Sequence, residues 1–231
     1  MITVETIRER HSVREYDGGP LARAEFDALG AVVEEYARES GLDIQLVGDN
    51  PEVFNVIARF GLIRGCRTHV SFVVDDAKAR CVAADEAIGY WGQKIVLAAQ
   101  DMGLNTCWCA LCSRKKSHAV VAPGKKIRLI IAVGHGKTQG FSRKTKSVEA
   151  LSSVECVKAP AWFAAAMEAA QLAPTAMNNQ NFKITLLSDG KTVRIDAPQS
   201  GLNVIDEGIV RCNFEIAANE AGADWRWERD I

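Results

Sequence analysis

GYWGQKIVLAAQDMGLNTCW, residues 89–108, is the stretch from which the fold is best read. Trp91, Ile95, Ala98, Ala99 and Met102 fall on one face of a helix running from about Asp85 to Met102, and Gly103 is a natural stop for it. The pattern returns at an offset of 119 as GIVRCNFEIAANEAGADWRW, residues 208–227. Five of the twenty positions are identical: Gly89/Gly208, Ala98/Ala217, Ala99/Ala218, Gly103/Gly222 and Trp108/Trp227. Leu97/Ile216, Gln100/Asn219 and Asp101/Glu220 are conservative. A strand-like stretch also recurs, LDIQLVGD at 42–49 over FKITLLSD at 182–189. Any two alanine-rich helices align to some degree. Here two helix–strand units recur in the same order, with glycine stops and tryptophans in register, so the chain reads as an internal duplication. The halves differ between helix and strand. PTAMNNQ at 174–180 stands between helix and strand in the second, where the first has only a short turn at Gly41.

Working outward, residues 2–10 form a short helix, followed by an extended segment that ends at Asp17-Gly18-Gly19-Pro20. Leu29, Val32, Val33 and Tyr36 give a helical stripe between Leu21 and about Glu39, closed by Gly41. Asp43–Val47 alternates as a strand, and His69–Val74 is a more continuous apolar strand. Ile127–Val133 is nearly all apolar, as a strand buried on both faces would be. Pro160–Leu172 is an alanine-rich helix. Lys183–Leu187 and Thr192–Asp196 flank Ser188-Asp189-Gly190-Lys191, a strong hairpin signal. A last helix is expected over Gly208–Ala221. The fold class is α+β, with one sheet and helices packed against it.

The composition, 48% hydrophobic and 25% charged over 231 residues, suits one or two packed domains. With 28 basic and 29 acidic residues, nothing in the total charge points to a nucleic-acid or membrane partner. The opening residues are charged and amphipathic rather than a signal peptide, and no run approaches a membrane span, so a cytoplasmic location is expected. The seven cysteines are odd in number and lack framework spacing, which agrees with a reducing compartment. Cys107-x-Cys109-x2-Cys112 invites a metal or iron–sulfur reading. No second cysteine pair stands at ligand spacing and His118 is the only nearby histidine, so these read as small reduced hydrophobes in a strand and its following loop.

Two basic clusters carry the chemistry. Arg10-His11-Ser12-Val13-Arg14 puts two fixed charges, an imidazole and a hydroxyl into five residues. In an extended segment Arg10, Ser12 and Arg14 share one face, the equipment for a phosphate or another planar anion. Arg143-Lys144-Thr145-Lys146 is the second. Taken alone, each also fits a solvated surface. There is no glycine-rich phosphate loop, dinucleotide fingerprint, Gly-x-Ser-x-Gly elbow or metalloprotease helix.

In combination four stretches resemble the nitroreductase family of flavoproteins, and most of all a branch in which the family unit is duplicated within one chain. They are Arg-His-Ser-Val-Arg at 10–14, the helix from Gly89 to Trp108, Arg-Lys-Thr-Lys-Ser at 143–147, and Ala-Pro-Thr-Ala-Met-Asn-Asn-Gln at 173–180. The resemblance implies a nitroreductase-like fold, a central, mostly antiparallel sheet flanked by helices. It implies flavin mononucleotide (FMN) held where two family units meet, with Arg10 and Ser12 on the phosphate and ribityl end, His11 beside them, and Lys144 and Lys146 adding charge. Arg14 would reach the pyrimidine edge of the ring. Pro174, Thr175, Ala176 and Asn178 would hold the isoalloxazine, and the backbone of Cys109, Ala110 and Leu111 would approach the reactive N5. No side chain need be catalytic, and no metal is implied. Thr175-Ala176 departs from the family's usual Ser-Ser, and the aromatic after Gln180 is shifted behind Asn181, so ring hydrogen bonding can differ.

The expected activity is electron transfer from NADH or NADPH to a small acceptor such as a nitroaromatic, a quinone or free flavin. One alternative is a flavin-binding carrier or sensor without turnover, in which Tyr90 and Trp91 would be either core or a cap over the ring. Another is a degenerate member with no flavin, its basic clusters merely solvated. Residues 1–150 would be a half carrying the phosphate site and 160–231 a shortened half supplying the ring-contacting loop, together one compact unit. Because the Arg-His-Ser element and the Pro-x-x-x-Asn loop each occur once, a single-chain pseudo-dimer with one flavin is expected. A monomer is favoured, and a homodimer stays open.

Overall fold

Alternation and apolar runs in the first half assemble where the sequence puts them. The computed structural model describes residues 2–54, 63–76, 81–156 and 158–229. In chain order its elements are α1 (Val4–Glu9), α2 (Arg23–Ser40), β1 (Asp43–Val47), β2 (Thr68–Asp75), α3 (Val82–Asp101), β3 (Asn105–Cys109), β4 (Lys125–Gly134), α4 (Val148–Leu151), β5 (Ser152–Val154), α5 (Ala161–Gln171), β6 (Lys183–Leu186), β7 (Thr192–Asp196), α6 (Asn203–Glu220) and β8 (Arg226–Trp227). The α+β fold has the antiparallel sheet and helices expected.

The residues form two compact units. One holds Glu9–Ala79 with Ile95–Ser142, the other Ile2–Arg8, Arg80–Lys94 and Arg143–Ile231. The first contains a four-stranded antiparallel sheet in the order β1-β2-β4-β3. Its central strand β4 is buried from Leu129 to Val133, which is why that stretch reads as continuously apolar. Strand β3 ends the sheet, with Trp108 stacked on Phe72 at 6.2 Å.

A single sheet was expected, and the second unit corrects this. The hairpin β6–β7 has its own sheet, β5-β6-β7-β8, in which both outer strands run parallel to their neighbours. Strands of three and two residues leave no alternation to read, yet they cover the edges the hairpin would otherwise expose. Helix α6 packs beside α5, and Trp162, Phe163, Phe214, Trp225 and Trp227 form an aromatic cluster there.

Also in this unit, the start of α3 crosses α6 with backbone against backbone. A Cβ on Gly89 would lie 2.0 Å from the Ile205 carbonyl oxygen, and one on Gly208 would lie 2.0 Å from the Glu86 carbonyl oxygen. The contact is reciprocal: Gly89 and Gly208, and likewise Glu86 and Ile205, are related by the offset of 119. Around the crossing, the buried Arg211 meets Glu86 at 2.9 Å and Glu207 at 3.6 Å, and Arg229 meets the same two carboxylates at 2.9 and 3.0 Å.

Candidate functional site

Arg10, His11, Ser12 and Arg14 lie on an extended ribbon seated against the edge of the first sheet. Val13 N donates to Thr106 O at 3.0 Å, Tyr16 N to Arg64 O at 2.8 Å, and Asp17 N to His135 O at 2.9 Å. The seat is made of small residues. Cβ atoms on Gly134, Gly136 and Gly140 would fall 3.0 Å from the Tyr16 ring, 2.7 Å from Val13 Cγ1 and 2.6 Å from His11 Cβ. The ribbon therefore needs glycine at 136 and 140 to lie down, and at 134 a side chain would press on the Tyr16 ring. Beneath it Tyr16 is buried among Val13, Cys66, Cys107 and Cys109, and burial lifts its phenol well above the usual range.

On this ribbon Arg10 is buried while Arg14 is exposed. The His11 ring is held at both nitrogens, by Glu9 O at 2.9 Å and Ser142 Oγ at 3.2 Å. Ser12 bridges to Thr106 on β3, the strand whose far end carries Cys109, Ala110 and Leu111. Cys109 is buried, and Leu111 is 65% exposed beside it.

The remaining candidates come together in the second unit. Asn178 Nδ2 donates to Lys144 O at 2.8 Å, Lys146 N to Gln180 Oε1 at 2.7 Å, and Lys146 Nζ to Gln180 O at 3.0 Å. The loop thus packs on the 143–147 segment, a contact the sequence reading did not anticipate. Pro174 and Thr175 are buried, Ala176 and Asn178 half-buried. Met177, Asn178 and Gln180 all have positive φ, at 52°, 56° and 47°, a conformation that side chains adopt only when surroundings hold them there.

Asp206 is one such support and escaped the sequence reading. Its carboxylate accepts from Ala176 N at 3.0 and 2.9 Å. Burial raises it to about 7, against the opposing pull of the Ala176 N–H and Arg143. Gln180 is another, donating Nε2 to Gln171 O while Thr175 Oγ1 accepts from Gln180 N. The glycines at 134, 136 and 140 are visible in the sequence as residue types, but their fit beneath the ribbon is not. Nothing in sequence marks Asp206 as a partner of Ala176.

Tyr90 is core rather than cap, buried with its hydroxyl donating to Glu215 Oε1 at 2.6 Å. Cys107 and Cys109 are buried free thiols, and among the described residues no group of three or more His, Cys, Asp or Glu side chains could hold a metal. No helix among those residues is long and apolar enough to cross a membrane.

Known proteins give the geometry a context. The sequence profile of a family described as "Putative TM nitroreductase" matches residues 2–218. The chain belongs to this nitroreductase family. Membership makes it an oxidoreductase by kinship. Among solved structures, a "putative nitroreductase" from Thermotoga maritima is similar over 100% of this chain and 90% of its own, at 20% identity and a TM-score of 0.69. A protein described as a "Putative NADH dehydrogenase/NAD(P)H nitroreductase", from Bacteroides thetaiotaomicron, is similar over 64% of this chain and 94% of its own (19% identity, TM-score 0.50). A nitroreductase family protein from Streptococcus pneumoniae is similar over 64% and 97% (14%, TM-score 0.50). At such identities these structures speak for the nitroreductase fold alone. No curated protein sequence matches the chain.

Proposed function

We propose that the chain is an FMN-dependent oxidoreductase that takes electrons from NADH or NADPH and delivers them to a small acceptor such as a nitroaromatic, a quinone or free flavin. The observation that carries this reading is Asn178. Its Nδ2 is tied to the 143–147 segment, while its Oδ1 is buried with no hydrogen-bond partner among the described residues. A buried acceptor left open in a strained, well-held loop costs stability and fits a donor from a ligand. Arg14 and Lys144 are exposed and form no ion pair among the described residues, so they suit an anion. The residues present fit the family's cofactor.

Bound FMN would supply two-electron chemistry between donor and acceptor. The chain's own residues would bind and orient it. Arg10, Ser12, Lys144 and Lys146 would meet the phosphate and ribityl end, His11 would brace them, and Arg14 would place a cation at the pyrimidine edge. Pro174, Thr175, Ala176 and Asn178 would hold the ring plane, with Cys109, Ala110 and Leu111 offering backbone near its reactive edge. One FMN per chain is proposed because each binding element occurs once in the sequence. The reciprocal glycine crossing supports the accompanying reading of two related halves, which we propose extend over 1–150 and 160–231. Seven free thiols support a reducing, cytoplasmic setting.

The test is a visible spectrum of the purified chain with added FMN, followed anaerobically by NADH and then NADPH. A bound, yellow flavin that bleaches and is recoloured by a quinone supports the reading. The double variant Arg14→Ala with Lys144→Ala should weaken FMN by about tenfold or more, since charge-assisted contacts contribute roughly 1.5–3 kcal/mol each. A chain that takes up no FMN overturns it. A bound flavin that neither nucleotide reduces replaces the enzyme with a carrier or sensor.

A further inference from the structure

Cys109 and Cys112 bracket the turn after β3, in the order Cys-Ala-Leu-Cys, and neither is in a disulfide. Their surroundings are unequal. Cys109 is 5% exposed within the cluster that holds Cys66 and Cys107, whereas Cys112 packs on that cluster from outside and keeps part of its surface. Each sulfur curls over the connecting turn: Cys109 Sγ lies 3.4 Å from Leu111 O, and Cys112 Sγ 3.6 Å from Cys109 O. Arg114 clamps the same turn by donating Nη2 to Ala110 O at 2.8 Å. A reachable thiol, a buried thiol and a fixed cation therefore stand within six residues.

We propose that Cys109 and Cys112 form a redox-active dithiol that exchanges with low-molecular-weight disulfides, Cys112 attacking and Cys109 resolving. The electrostatics agree with the geometry. The neighbouring Cys109 thiol holds Cys112 below the ordinary thiol range, and Arg114 adds to this against the effect of burial. The pairing with Cys112, together with burial, pushes Cys109 upward, so the inner thiol keeps its proton until the outer one has reacted. Cys66, deeper in the cluster, is pushed up to about 12 by burial and is no competitor.

In the first step the Cys112 thiolate bonds to one sulfur of the small disulfide, whose S–S bond breaks and releases a thiolate that takes a proton from water. In the second, Cys109 gives its proton to solvent and attacks the Cys112 sulfur. The mixed disulfide breaks and a second small thiol leaves. The protein dithiol is oxidised by two electrons and the small disulfide is reduced to two thiols. The dithiol lies on the turn that the proposed function sets beside the flavin, but its exchange chemistry uses only the two thiols and the small disulfide.

The experiment uses the full chain with oxidised glutathione near neutral pH, acid quenching, and peptide mass mapping. Wild type should yield a 109–112 linkage with the loss of two hydrogens. Cys109→Ser should trap a stable glutathione adduct on Cys112, and Cys112→Ser should leave Cys109 unmodified. Alkylation of unoxidised wild type should be roughly tenfold faster or more at Cys112 than at Cys109. Absence of the linkage in wild type overturns the proposal even if a variant fails to fold. An adduct on Cys109 in place of Cys112 reverses the assigned roles and overturns it equally.

Discussion

Two stretches with similar sequence patterns, α3–Gly103–β3 and α6–Gly222–β8, share local structure and part company over pairing. Each is a long helix ended by a left-handed glycine, with φ of 77° at Gly103 and 66° at Gly222, and each then enters a strand carrying a tryptophan. Yet β3 runs antiparallel to β4 over five residue pairs, while β8 runs parallel to β7 over two. Helix, stop and strand are written within twenty residues. The strand's partner is chosen by residues far away. Charge divides the stretches too: Asp206, Glu207 and Arg211 stand where the offset places Ala87, Ile88 and Gly92.

The largest effect should come from the shared crossing. Gly89→Ala and Gly208→Ala each drive a methyl into a carbonyl 2.0 Å away, so each should cost more than about 4 kcal/mol by denaturant unfolding. Because both act on one contact, the double variant should cost clearly less than the sum. Costs that differ widely, or that add, would break the reciprocity.

Next comes the network found on one stretch only. Arg211→Met leaves Glu86 and Glu207 buried side by side with only Arg229 to balance them, and should cost about 3 kcal/mol in the same unfolding assay.

Asp206 gives a smaller effect with a defined sign. Its carboxyl is raised to about 7 in the folded chain, so the folded state binds the proton more tightly than the unfolded one. The stability this brings is complete below the ordinary aspartate range and is lost as pH rises through about 7. Asp206→Asn should therefore gain about 2 kcal/mol relative to wild type between about pH 5 and about pH 8. A difference between the two proteins that does not change with pH would remove Asp206 as a buried titrating group.

The smallest effect should be the most symmetric. Nothing lies within 4 Å of a Cβ on Gly103 or Gly222, so alanine at either meets only the strain of positive φ, about 1 kcal/mol. Melting temperatures of the two variants should fall by similar amounts. A large inequality would show that the two stops are not the same structure.

What could be read in advance follows the same division. Strand β1 lies where alternation put it, Asp43–Val47, and the hairpin β6–β7 closes over Ser188-Asp189-Gly190-Lys191 as its turn residues required. Helix α6 begins at Asn203, five residues before the reading from Gly208, because Asp206 and Glu207 look like surface and are in fact buried. The cations of the candidate site were legible as residue types. Their supports were not, because Gly136 serves Val13 and Asp206 serves Ala176 only through folds of the chain that local sequence does not announce.

The seat of the N-terminal ribbon has a consequence for synthesis. The Tyr16 hydroxyl reaches Ala132, 116 positions later in the chain. At roughly 5–20 residues per second, a ribosome needs about 6 to 23 s to deliver that partner. Until then Arg10, Ser12 and Arg14 travel on a nascent segment with nowhere to lie. The anion site proposed on this ribbon would thus be completed late in translation, once the glycines from Gly134 to Gly140 have emerged and the ribbon can be laid upon them.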